Sequence, residues 1–356
     1  MTKLFEPIQV RSLTTRNRIW ISPMCQYSCE EQDGVVGNWA LVHYSSFAKG
    51  GAGLVMVEAS GVSAIGRITP WCAGIWNDEH TIAWEAVVDS VHLNGGKIGM
   101  QLAHAGRKGS THRELSGVGP IRLSEGGWET VSASAVPFEG YAFPRALEIS
   151  ELATIKDEFV AAANRAVIAG FDLIEIHAAH GYLLHQFLSP LSNFREDIYG
   201  GSLENRARIL VEIVIAIRAK VGDDLPISVR FSATDWIEGG WNEDDTAQIA
   251  QWCLDAGADL FDISSAGLST SQKLVLGPGY QVPFAEHVGR VVDAPVAAVG
   301  MITSGTQAEA ILQAGIVDVI MVGRVALGDP YWPIRAAKEL GESIDYVPTQ
   351  YSRAIF

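Results

Sequence analysis

A chain of 356 residues suits either two ordinary domains or one barrel of repeated strand–helix units. Its 48% apolar and 19% charged residues make it globular rather than disordered. The 26 basic and 41 acidic side chains, a formal charge of −15, exclude the clustered cations that a nucleic-acid partner needs. No apolar run reaches the roughly 18 residues that cross a bilayer. MTKLFEPIQV at the start has no signal-peptide core, and Cys25, Cys29, Cys72 and Cys253 form no CxxC pair, so free thiols and a cytoplasmic location away from membranes are expected.

Eight short β-branched runs read as strands buried on both faces: Arg18–Ser22, Leu54–Ala59, Ile98–Leu102, Leu173–His177, Ile227–Phe231, Leu260–Ser264, Val296–Val299 and Val319–Val322. Between them lie stretches of helical period, among them Thr81–Asn94, Leu152–Ala169, Leu203–Val221, Thr246–Ala256 and Thr306–Ala314. Four strands follow junctions of one type, at Gly50-Gly51, Gly170, Gly257 and Gly315, where glycine suits a helix end that turns at once into a strand. The alternation predicts an α/β chain folded as a single (β/α)₈ TIM barrel over residues 1–356, in preference to an open doubly wound sheet.

Chemistry in such a barrel belongs at the C-terminal ends of its strands. The first strand leads into Ser22, Pro23, Met24, Cys25, Gln26 and Tyr27, where Cys25 is either a nucleophile or a buried structural thiol. The third ends at Gln101 and continues through His104 to Arg107 and Lys108. A Gly-, Pro- and Ser-rich insertion, residues 103–149, follows it and is too irregular for one helix, which suggests a cap over the site. The fourth strand delivers His177, His180 and Tyr182; a zinc site there lacks both a third ligand of suitable spacing and the HExxH pattern, so no metal is expected. The fifth presents Arg230, which suits an anionic ligand or an ion pair with Glu175 or Asp262. The last two strands run into Gly300 and into Gly323-Arg324, the loops that commonly hold a phosphate in this fold. The tail, residues 345–356, is not helical in pattern.

Taken together these segments resemble the old yellow enzyme family, and its thermophilic-like branch of NADPH dehydrogenases in particular. The resemblance extends over essentially the whole chain. It is carried by LFEP, NRI and SPMCQYS, by QLAHAGRK, by HAAHGYLLHQFLSPLSNFREDIYGGSLENR, and by SVRFS, PGYQVPFAEHV, AVGMI and VGRVALGDPYW. The thiol at Cys25, where other branches commonly have Thr, and the QYSR ending at Arg353 point to the branch.

The resemblance implies an FMN-dependent oxidoreductase that takes hydride from NADPH, or NADH, and delivers it to the activated C=C bond of an α,β-unsaturated carbonyl or nitro compound. It implies that Ser22, Pro23, Met24 and Cys25 line the flavin, that Ala59 and Gln101 bond its ring, and that Arg230 lies near N1 and the C2 carbonyl. Gly300, Gly323 and Arg324 are expected at the FMN phosphate. His177 and His180 are expected on the substrate oxygen, Tyr182 as proton donor, Tyr27 at the pocket wall and Lys108 near the substrate. Cys25 is expected to tune the flavin or the substrate fit. Arg353 is expected to reach a neighbouring subunit's site in a homodimer or homotetramer. The tail departs from some members in ending Arg353-Ala354-Ile355-Phe356, without a terminal aromatic pattern. Other readings are a dienoyl-CoA reductase, which resembles longer chains carrying an iron–sulfur cluster and is disfavoured by four scattered cysteines and 356 residues, a phosphate-binding isomerase or synthase, and a flavin-binding module without catalysis.

Overall fold

The computed structural model describes residues 2–354, so Ile355 and Phe356, where the departing tail ends, lie outside it. Eight parallel strands form a ring: β1 (Ile19–Ile21), β2 (Leu54–Met56), β3 (Lys97–Ala103), β4 (Leu173–Ala178), β5 (Ile227–Ser232), β6 (Leu260–Ser264), β7 (Val296–Ala298) and β8 (Val319–Val322). Each pairs with its neighbours in sequence, and β8 closes onto β1 through Ile320↔Ile19 and Val322↔Ile21. Closure leaves no sheet edge and yields the expected (β/α)₈ barrel. Strand bounds agree with the sequence to within a residue except in β2. That run was expected to reach Ala59 but leaves the ladder after Met56, because the Glu58 N–H turns aside to the Tyr44 hydroxyl at 3.0 Å.

Helices pack around the ring, beginning with α1 (Asn38–Lys49), α2 (Asp78–Leu93) and α3 (Ile149–Ile168). After β4 come α4 (Leu183–Leu188) and α5 (Leu203–Val221), then α6 (Glu243–Asp255), α7 (Val282–Gly289), α8 (Gly305–Gln313), α9 (Arg324–Gly328) and α10 (Trp332–Glu339). Three begin about a turn earlier than their apolar stripes do. Asn77 caps α2 by accepting the His80 N–H, a Glu148/Glu151 capping box opens α3, and Asn242 accepts from Asp244 and Asp245 at the start of α6. First turns of this kind carry polar caps and acids, so hydrophobic periodicity starts after them. At the other ends, the glycine junctions behave as the sequence implies. Gly170 has φ +90° one residue past the α3 cap, and Phe171 N–H returns to Ala166 O at 3.1 Å, which lets the chain enter β4 within two residues.

The barrel interior is layered. At its N-terminal end Trp20, Leu54, Met56, Leu173, Leu260, Ala297, Val319 and Met321 form an apolar plug with Ile8, Val10 and Leu13. The last three come from a hairpin of Ile8–Val10 and Leu13–Thr15 that shuts this end. One pleat nearer the C-terminal mouth the inward residues turn polar: Gln101, Glu175, Ser228, Arg230 and Asp262 are all buried there. The larger apolar cluster lies between strands and helices, so stability is supplied outside the ring and at its base. The mouth is freed for chemistry. Across it, the insertion after β3 is tied down by Glu139, which accepts from Ser269 Oγ at 2.5 Å and Thr270 N–H at 3.2 Å in the loop after β6. Among the described residues no helix is long and apolar enough to cross a membrane.

Candidate active site

Beyond β4 the chain makes a turn in which His180 (φ +58°) and Gly181 (φ +72°) are both left-handed. A Cβ on Gly181 would stand 2.2 Å from the Gly267 carbonyl oxygen, so only glycine fits. Four side chains, from β5, the segment after β3 and α4, hold the turn's backbone. Ser232 Oγ accepts the His180 N–H at 2.9 Å, Lys108 Nζ donates to His180 O at 2.9 Å, His185 Nδ1 accepts the Gly181 N–H at 2.9 Å, and Gln186 Nε2 donates to Gly181 O at 2.7 Å. His185 Nε2 is in turn 3.1 Å from Asp235 Oδ1, both fully buried. A turn bonded on every side keeps a strained backbone in place and fixes the side chains it presents.

Those side chains are His177, His180 and Tyr182, whose rings meet edge to face with centroids 5.2 Å (His177–His180) and 5.1 Å (His177–Tyr182) apart. Burial, then the positive Arg230, pushes both imidazoles well below their usual pKa, so each is neutral with one N–H to donate. His177 Nδ1 accepts the Ala179 N–H at 3.3 Å, which leaves the proton on Nε2. His180 Nε2 is 2.8 Å from Ser264 Oγ, and with that hydroxyl donating to it, in place of its longer 3.3 Å contact with Gln281 Oε1, the proton sits on Nδ1. The Tyr182 phenol is pushed well above its usual pKa, first by burial and then by the neighbouring Cys25, and therefore keeps its proton. Lys108 stands 5.1 Å from the Tyr182 ring and 4.6 Å from Phe138 of the insertion after β3, donates also to Gly267 O at 3.0 Å, and is lowered to about 8 by burial and by Arg107. Its ammonium thus ties the insertion after β3 to the turn that bears His180 and Tyr182.

Opposite lies the loop after β1. Tyr27 is left-handed (φ +51°), and with Cys25 and Gln26 it lines a cavity of about 480 Å³ that Arg113, Glu114, Leu115 and Ser116 of the insertion after β3 also line. Burial, then Glu58, raises the Cys25 thiol to about 12, so it is no thiolate nucleophile at neutral pH. Glu58 was not singled out in the sequence. Fully buried, it accepts the Gln26 N–H at 2.9 Å, the Tyr27 N–H at 3.4 Å and the Tyr44 hydroxyl at 3.0 Å, and so pins the loop that carries Cys25 and Tyr27. Its one signal was an acid inside the apolar run LVMVEAS.

The polar layer is the floor between these walls. Gln101 donates through Nε2 to Glu175 at 2.8 Å, and Arg230 Nε lies 2.9 Å from Asp262 Oδ2, one strand away in register. The Arg230 N–H is not aimed at that oxygen, so the contact is Coulombic, and its guanidinium makes no hydrogen bond to any described residue. Of the two acids named as partners in the sequence, Asp262 is the one paired. Ser22 Oγ, buried at the same level, also lacks a protein partner among the described residues. Ala59 is buried just beyond β2, and Pro23 and Met24 are partly exposed at the edge of the mouth.

A second cavity, about 330 Å³, opens between the ends of β7 and β8 and is lined by Gly300, Met301, Gly323, Arg324, Tyr280 and Gln281 among others. Gly300 takes φ +121°, a Cβ on Gly323 would meet nothing nearer than Met24 Sδ at 3.5 Å, and Arg324 is exposed with no partner among the described residues. Glycine backbone lining a cavity beside an uncommitted fork of N–H donors suits a phosphate. Arg230, ion-paired to Asp262 but with its guanidinium N–H groups not hydrogen-bonded to any described residue, and the unsatisfied Ser22 hydroxyl at the floor suit the polar edge of a planar ring. The groups that FMN needs are thus present and unsatisfied by protein.

Arg353 is the one predicted site residue that the fold does not bring to this mouth. It is exposed on a tail fixed at the opposite end of the barrel: Tyr346 bonds Asn17 Nδ2 at 3.0 Å and lies under Arg16 at 4.4 Å, and the Tyr351 hydroxyl is 3.1 Å from that of Tyr331. Among its described residues the tail forms no α-helix, as expected, and holds one 3₁₀ turn, Thr349–Tyr351.

Residues 3–343 match the profile of the NADH:flavin oxidoreductase / NADH oxidase family. An NADPH dehydrogenase of Listeria innocua serovar 6a is 45% identical over 355 residues, 99% of each chain. A solved old yellow enzyme homologue from Zymomonas mobilis superposes with a TM-score of 0.79 at 28% identity, covering 96% of this chain and 94% of that one. A 2-naphthoyl-CoA reductase superposes at 0.87 with 27% identity over 95% of this chain, which spans only 52% of that longer protein.

Proposed function

The chain belongs to the NADH:flavin oxidoreductase / NADH oxidase family, the family of the old yellow enzymes, and from that premise we propose that it is an FMN-dependent NADPH dehydrogenase reducing the activated C=C bond of α,β-unsaturated carbonyl and nitro compounds. The observation that carries this is the turn after β4, where two neutral imidazoles and a protonated phenol converge on one opening. Such a set can hold a polarised oxygen and supply a proton.

FMN, when bound, supplies hydride transfer from the nicotinamide to the acceptor in two successive half-reactions. Gly300, Gly323 and Arg324 would hold its phosphate, while Ser22, Pro23, Met24, Ala59, Gln101 and Arg230 would hold its ring. The N–H groups of His177 and His180 bind the carbonyl or nitro oxygen and stabilise the negative charge that develops there. This draws electrons from the β-carbon. Tyr182 then gives its phenolic proton to the α-carbon. Cys25, being protonated, shapes the pocket with Tyr27 rather than forming a covalent intermediate.

A steady-state screen of enones, maleimides and nitroalkenes against both nucleotides tests the substrate class. Turnover with enones, faster with NADPH than with NADH, is the expected result; nucleotide oxidation by dioxygen alone would contradict it. For the phosphate loop, Arg324→Ala should weaken FMN binding about 10-fold with the barrel still folded, since one charged fork is lost. FMN affinity equal to the parent's would remove Arg324 from the site.

The tail supports a shared site, because an exposed arginine on a segment held at the closed end of its own barrel lies away from its own mouth. A two-fold dimer would make the exchange reciprocal, and two such dimers would give a tetramer. Arg353→Ala should raise the apparent KM for NADPH or enone several-fold while leaving thermal unfolding of the protomer unchanged. Full activity in a monomeric truncation lacking residues 352–356 would exclude the shared site.

A further inference from the structure

Gln101 and Glu175 are register partners on β3 and β4, both within the barrel and almost inaccessible. A primary amide has two chemically opposite ends, an N–H₂ that donates and a carbonyl that accepts, and in isolation either can face a ligand. Here the choice is made from below. Nε2 donates to Glu175 Oε1 at 2.8 Å, while the other carboxylate oxygen accepts from Ser228 Oγ at 3.1 Å on β5. No described residue donates to Gln101 Oε1.

Burying an acid in this layer is costly, and a Gln or an apolar residue would be cheaper if only packing mattered. Burial first, and then Asp262, the second acid of the layer, raise the Glu175 carboxyl to about 7, while Arg230 and the hydrogen bonds from Gln101 and Ser228 favour the carboxylate. A carboxylate is nonetheless the one side chain of this size that accepts on both oxygens and donates on neither.

We propose that Glu175 is a positioning residue, whose carboxylate fixes the Gln101 amide so that its carbonyl is offered upward as the acceptor for a ring N–H of the flavin. This rests on the reading that FMN occupies the mouth. Glu175 itself touches neither cofactor nor substrate; it acts through Gln101. Replacement by Gln keeps the shape but adds a donor and lets the facing amide reverse, setting N–H against N–H.

A double-mutant cycle tests this directly. Apoprotein of the parent, Glu175→Gln, Gln101→Ala and the double variant is titrated with FMN by fluorescence quenching, and the midpoint potential of each loaded form is measured. Glu175→Gln is expected to weaken FMN binding about 10-fold and shift the potential in the parent background, yet to change affinity less than about twofold once Gln101 is Ala. Equal losses in both backgrounds, or an unchanged potential, would overturn the proposal in favour of simple core packing. Thermal unfolding of the apoproteins monitors the fold. If Glu175→Gln does not fold, Glu175→Asp, which withdraws the acceptor by one methylene, takes its place in the cycle with the same expected pattern. Parent apoprotein that binds no FMN would refute the flavin reading itself, a result distinct from additivity.

Discussion

Tyr182→Phe should leave reduction by NADPH within about twofold of the parent and slow reduction of an enone by about 10²–10⁴-fold, the usual range for loss of a positioned proton donor. The phenol is fully protonated because burial and Cys25 disfavour its anion, and its position is set by a turn whose neighbours are all bonded to other elements. Removing one oxygen from the ring leaves that turn, and the contact with His177, intact. Only the half-reaction that consumes a proton should therefore suffer. Stopped-flow measurement of the two half-reactions separates them; equal losses in both would show that Tyr182 shapes the pocket instead.

The second large effect is expected from His177→Ala combined with His180→Ala. Each removal of an oxyanion donor typically costs about 10²–10³-fold, and groups acting as a unit lose less than the sum when removed together. The double variant should thus fall by at least about 10³-fold in enone reduction. It should also lose binding of simple phenols, whose oxygen would occupy the same donors. Because both imidazoles are held neutral well below their usual pKa, parent phenol binding should not weaken between pH 6 and 8 through their titration. Phenol binding retained by the double variant, read as a long-wavelength absorbance change, would sink the assignment.

How far the sequence carries these assignments depends on whether a signal is local. Barrel strands are short runs buried on both faces, and glycine one residue past a helix cap is required by a left-handed backbone, so both were legible from neighbours in the chain. Helix starts were not, since the capping residues Asn77, Glu148 and Asn242 sit outside any apolar period. The loop residues at strand ends, His177 through Tyr182, were legible because the fold puts chemistry there. Their supports were not. Glu58 announces itself only as an acid in an apolar run, and its partners Gln26, Tyr27 and Tyr44 lie far away in sequence. Whether Arg230 meets Glu175 or Asp262 is a matter of register between strands more than fifty residues apart in part of the ring, which no local pattern encodes. Lys108 reads as a free cation until the carbonyls of His180 and Gly267 are brought to it.

The most direct test of the central claim is an anaerobic spectral titration of the purified protein, first with NADPH and then with 2-cyclohexen-1-one. The proposed function predicts a yellow protein whose visible band is bleached by one equivalent of NADPH and restored by one equivalent of the enone, with cyclohexanone as product. A colourless protein, or a yellow one that NADPH does not bleach or that stays bleached in the presence of the enone, would contradict it.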